Sequence, residues 1–155
     1  MTEKKYYLPQ AEKTFDLEAD ASGKPCKRIL ILEDQVEFAE QLKVYLESHG
    51  YSVTMVANGV EGLKQIMALE FEVILCDMVM PTLPGDMFYL AVERSRPKLC
   101  KRFIFMTGHR ADPKWDSFVR RIKGIMLWKP FTMADLMAAI QVVTAKAKNA
   151  EAPKV

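Results

Sequence analysis

The chain has 155 residues, half of them hydrophobic, and its 22 basic and 20 acidic residues leave a formal charge of +2. That length suits one domain with short tails, and the near balance of charge excludes a general nucleic-acid-binding surface. No apolar stretch approaches the roughly 18 residues of a membrane span, which excludes insertion, and the charged N-terminus lacks the apolar segment of a secretory signal.

Residues 1–26 are polar and broken by Pro9, Gly23 and Pro25, with no clear period. They read as an N-terminal extension, either loosely packed and mobile or a linker or partner-binding segment. A domain is expected over 27–147 and a short Lys-bearing tail over 148–155. Cys26, Cys76 and Cys100 form neither a metal spacing nor an even disulfide set, so a reduced, cytoplasmic chain is expected.

Within the domain the chain alternates. Residues 28–32 form a short apolar run suited to a buried strand. Asp34 is placed to cap the next helix, whose face carries Val36, Phe38, Leu42, Tyr45 and Leu46. Strand two is expected over 51–56. Asn58 then caps a helix bearing Val60, Leu63, Ile66 and Met67, with Glu61 at its third position. Strand three covers 73–76, and a helix over 85–95 carries Met87, Phe88, Leu90 and Ala91. Strand four covers 102–106. A short helix over 113–121 holds Trp115, Phe118 and Val119. Strand five covers 125–128. Thr132 and Asp135 make a capping box for the last helix, lined by Leu136, Met137, Ile140 and Val143.

Five strands alternating with five helices imply an α/β fold, a parallel sheet covered on both faces. The doubly wound order 2-1-3-4-5 is the leading topology. In that order strands one and three are neighbours at the switch point, so Glu33, Asp34 and Asp77 share one crevice. Three carboxylates packed together repel and call for a cation. An all-oxygen set with open positions suits Mg²⁺. Thr107 ends strand four with a hydroxyl, followed by Gly108, read as allowing close backbone approach. Lys129 ends strand five with an ammonium able to meet a phosphoryl oxygen.

These pieces resemble the receiver domain of two-component response regulators, a CheY-like, flavodoxin-like family. The matching residues are Ile31-Leu32-Glu33-Asp34, Asp77 with Met80-Pro81 and Gly85, Thr107-Gly108, and Lys129-Pro130-Phe131. The resemblance implies that Asp77 is the phosphoacceptor, taking a phosphoryl group from a phosphohistidine on a histidine kinase or histidine phosphotransfer protein. It implies Mg²⁺ held by Asp34, Asp77 and the backbone carbonyl of Val79, with Glu33 acting largely through water. Lys129 and Thr107 would hold phosphoryl oxygens, and the Lys129–Pro130 bond is expected to be cis. Output would run through a population shift at the surface of helix four, strand five and helix five, toward a downstream protein target or a homodimer. Trp115 and Phe118 are read there either as contacts or as core.

Three positions depart from the family pattern. Met126 stands at the switch position, usually Tyr or Phe, and lacks a ring and a phenolic hydroxyl. Trp128 is read as a packing residue facing another way. Val79 stands two residues past Asp77, where a polar side chain is frequent, and cannot orient an attacking water. His109, two past Thr107, either positions water or faces solvent.

The leading expectation is a stand-alone signalling receiver, not an enzyme beyond self-phosphorylation and slow autodephosphorylation, since no DNA-binding module follows. Alternatives are a receiver excised from a hybrid kinase and a degenerate receiver that docks without phosphate. A phosphohydrolase with an Asp nucleophile would need a second Asp at position 79. A nucleotide or flavin module would need a Gly-rich phosphate loop, and none occurs.

Overall fold

The computed structural model describes residues 27–108 and 112–151. Five strands, β1 (Lys27–Leu32), β2 (Tyr51–Val56), β3 (Val73–Asp77), β4 (Phe103–Thr107) and β5 (Ile125–Trp128), form one sheet in the order β2-β1-β3-β4-β5. Every pairing is parallel. Five helices connect and follow them: α1 (Val36–Ser48), α2 (Gly59–Ala68), α3 (Gly85–Ser95), α4 (Pro113–Ile122) and α5 (Met133–Glu151). This is the expected doubly wound architecture. The α5 helix runs on through position 147.

Strand parity splits the core in two. Leu30, Leu32, Ile74, Cys76, Phe103 and Phe105 pack toward α2, α3 and α4. Their neighbours Ile29, Ile31, Val73, Leu75, Ile104 and Met106 pack toward α1 and α5. Successive side chains alternate across a strand, so a run apolar at every position fills both faces. The central strands β3 and β4 are buried at every residue, while the edge strand β5 is only half-buried throughout. The first core is aromatic: Tyr89 meets the rings of Phe103, Phe105 and Phe118 edge-on or tilted, with centroids 5.1 to 5.9 Å apart. Trp115 and Phe118 are thus core residues.

Local chemistry sets the helix starts. Asn58 accepts the Glu61 N–H at 2.9 Å. Thr132 and Asp135 bond reciprocally at 3.0 and 3.1 Å, the capping box read from the sequence. Asp112 accepts the Lys114 N–H at 2.9 Å, ahead of Pro113 at the first helical position. Asp34, in contrast, does not cap α1. The N-cap is Gln35, without a side-chain bond, and its N–H turns back to Glu33 Oε1 at 3.1 Å.

Some inner faces also differ from expectation. Val36, Val60, Met67 and Met87 are exposed, at the flanks of their helices. The inward positions are filled by smaller or polar-tipped residues: Ala39 on α1, Gly59 and Gly62 on α2, and Tyr89 on α3. A Cβ at Gly62 would lie 2.5 Å from Leu32 Cδ2 and 3.1 Å from the Phe88 ring, so a larger residue would force these core side chains to shift. A 3-10 turn at Pro97–Arg102 leads into β4, which starts one residue later than expected. Met126 packs into the first core. Trp128, two residues on, has the same strand parity, so the expectation that it faces another way fails.

Candidate functional site

The register places the acids. Leu32 pairs with Cys76, so Glu33, one step beyond Leu32, lies beside Asp77, one step beyond Cys76. Asp77 is level with Met106, and Thr107 with Trp128, so Thr107 and Lys129 complete the same edge. All sit at the C-terminal ends of parallel strands, where the chain must turn and backbone groups open toward a ligand. The Glu33 N–H stays tied to the Val56 carbonyl at 3.0 Å and the Met78 N–H to the Met106 carbonyl at 2.9 Å. These bonds extend the ladder past the strands and hold the acids in position.

Asp77 is 5% exposed and Glu33 2%. Burying two carboxylates side by side is unfavourable without a counter-charge. Lys129 supplies it: its Nζ donates to Glu33 Oε2 and to Asp77 Oδ2, each at 2.6 Å. The other Asp77 oxygen, Oδ1, accepts the Val79 N–H at 2.8 Å. Asp34 is exposed at the rim, and one carboxylate oxygen each from Glu33, Asp34 and Asp77 lies within 4.8 Å of the others. Oxygen donors at such spacing, open to solvent on the Asp34 side, fit a hard divalent cation.

The electrostatics match that geometry. Burial raises the Glu33 carboxyl, the hydrogen bond and charge of Asp77 add to it, and Lys129 pulls it back, leaving it at about 7. Burial alone would lower the Lys129 ammonium, but its bonds to Asp77 and Glu33 outweigh this and hold it above the ordinary lysine value. Burial pushes the Cys76 thiol well up, with the Asp77 charge adding, so this core cysteine is inert at neutral pH.

Thr107 is fully buried at the end of β4, and its carbonyl accepts the Lys129 N–H at 2.8 Å. Val79 is 43% exposed, with its side chain outside the carboxylate cluster's hydrogen bonding. Met126 lies partly buried on β5. His109 lies outside the described residues. The Lys129–Pro130 bond is cis.

Two features were missed at the sequence level. The Phe38 ring lies under the ammonium, 4.8 Å from Lys129 Nζ, and meets Phe131 edge-on at 5.9 Å. The signal was its place one turn after Asp34, but an apolar helical face hid it. The second is the packing of Gly85, a residue of the family pattern: a Cβ there would lie 2.5 Å from the Asp77 carbonyl oxygen. At Gly108 a Cβ would meet only Lys129 Cβ at 4.0 Å among the described residues, an ordinary contact.

Comparison with known proteins gives the family and the fold. Residues 29–141 match the family described as the response regulator receiver domain. The chain is 33% identical over 118 residues to the response regulator receiver protein CpdR of Brucella abortus, covering 74% of this chain and 94% of that protein. It is 28% identical over 137 residues to the sensor kinase CckA of the same organism, covering 87% of this chain but 14% of the kinase. It likewise spans only 20% of the transcription factor SKN7 of Candida albicans. Among solved structures, a CheY-like receiver domain protein from Methanospirillum hungatei superposes with a TM-score of 0.73 at 27% identity, covering 80% of this chain and 98% of that one.

Proposed function

The chain belongs to the response regulator receiver domain family of two-component signalling, and on that basis we propose that Asp77 accepts a phosphoryl group from a phosphohistidine. The observation that carries this reading is the buried Asp77 carboxylate fixed between the Lys129 ammonium and the Val79 amide, beside two further acids at the sheet edge.

A carboxylate oxygen of Asp77 attacks phosphorus. The phosphorus–nitrogen bond of the donor breaks, its electron pair leaves with the imidazole, and an acyl phosphate remains on Asp77. Lys129 already contacts Oδ2 and would follow the charge onto a phosphoryl oxygen, with the Phe38 face steadying the ammonium. The Thr107 hydroxyl would take a second phosphoryl oxygen. Asp34, Asp77 and the Val79 carbonyl would hold Mg²⁺, with Glu33 acting through water; the metal, when bound, neutralises charge during transfer. We read residues 27–147 as the receiver unit. The donor would be a histidine kinase or phosphotransfer protein, and output would pass to a protein target, or a second copy, through α4, β5 and α5.

Incubation with Mg²⁺ and a small acyl phosphodonor, followed by intact mass, tests this. Wild type should gain one phosphoryl group and Asp77→Asn none. No adduct on wild type with any donor would favour docking without phosphate.

A further inference from the structure

A cleft of about 460 Å³ opens at the opposite edge of the sheet, where β4 and β5 begin. Phe103, Ile122 and Ile125 give it apolar walls, and Lys101, Lys123 and Lys146 rim it. Among the described residues no ion pair engages these three lysines, each of them exposed. An apolar trough ringed by unpaired cations fits an extended strip that alternates apolar and acidic residues.

This chain carries such a strip: residues 15–20 read Phe-Asp-Leu-Glu-Ala-Asp. Apolar Phe15, Leu17 and Ala19 alternate with acidic Asp16, Glu18 and Asp20, a period of two. The strip also enters from the right side. All strands are parallel, so Lys27 at the start of β1 lies at the same edge as the cleft. From β1 to β5 is three inter-strand spacings, about 15 Å, and residues 21–26 reach about 20 Å when extended.

We propose that residues 15–20 dock in the cleft at the start of β4 and β5, with Phe15 and Leu17 in the apolar trough and the acids on Lys101, Lys123 and Lys146. Docking is intramolecular, so a weak contact suffices at the effective concentration the short tether provides. It would place the segment against the free edge of β5 and the end of α5.

Amide hydrogen exchange on the full chain tests the proposal. Residues 15–20 should exchange about ten-fold slower or more than an unstructured peptide, independently of protein concentration and less so at high salt. Phe15→Ala with Leu17→Ala should abolish this without touching the domain. Lys123→Glu with Lys146→Glu should also abolish it, and Asp16→Lys with Glu18→Lys added to that pair should restore it. Unstructured-peptide rates in the wild type would overturn the proposal, as would protection indifferent to both variant pairs. Protection that grows with protein concentration would overturn it too, assigning the cleft to a second copy.

Discussion

At the scale of single residues, the site holds one cation for two buried carboxylates. Lys129→Met removes that cation. In metal-free protein Glu33 can then avoid the repulsion only by staying protonated. The sign follows from its value, raised to about 7 even with Lys129 pulling it down and raised further without that bond: an acid that binds its proton more tightly in the folded state contributes stability fully below its unfolded value, and loses it as pH rises through its folded value. Metal-free Lys129→Met should therefore be less stable than wild type in urea denaturation, with a larger deficit at pH 8 than at pH 5. Mg²⁺ should recover part of the loss at pH 8, because a ligand of the folded state stabilises by mass action. A deficit equal at both pH values would contradict this. Val79 belongs to the same scale. Its amide engages Asp77, while its side chain offers no polar group for water. Val79→Asn should shorten the lifetime of the acyl phosphate relative to wild type, followed by mass after donor removal; unchanged or slower decay would argue against the reading.

At the scale of elements, the approach of α3 to the end of β3 is set by one hydrogen atom. A Cβ on Gly85 would lie 2.5 Å from the Asp77 carbonyl oxygen and 2.9 Å from Met78 Cα, both backbone atoms that cannot swing aside. Gly85→Ala should push the helix from the strand and cost roughly 1–3 kcal/mol, the usual range for overpacking. Gly108→Ala meets only ordinary contact and should stay within about 0.5 kcal/mol of wild type. Urea midpoints of the two variants check the contrast, and equal losses would contradict it. This difference was not legible in the sequence. Gly85, at the first position of α3, and Gly108, directly after β4, both lie beyond a strand end, and the clash depends on how closely two elements approach. The same limit explains α1. Asp34 has the chemistry of a cap, but the helix begins one residue later, with Gln35 at the N-cap and its N–H bonded to Glu33 Oε1.

At the scale of the molecule, strand number, order and most boundaries were legible because each buried strand is a short apolar run bounded by turn signals. The carboxylate crevice followed from that order, since register alone sets Glu33 beside Asp77. The wiring within it did not follow. Lys129 reaches Glu33 across 96 positions of sequence, and Phe38 lies under the ammonium for reasons of packing that no local pattern carries. Helix faces were misjudged where bulky apolar residues such as Val36 and Met67 sit at the flank and small ones face inward. The central claim concerns a single bond, a phosphoryl group on the Asp77 carboxylate. Its most direct measurement is peptide mapping after exposure to an acyl phosphodonor, with Mg²⁺ and with chelator. One hydroxylamine-labile phosphoryl group should map to Asp77 and depend on Mg²⁺. A stable adduct on serine or threonine, or labelling that survives in Asp77→Asn, would contradict it.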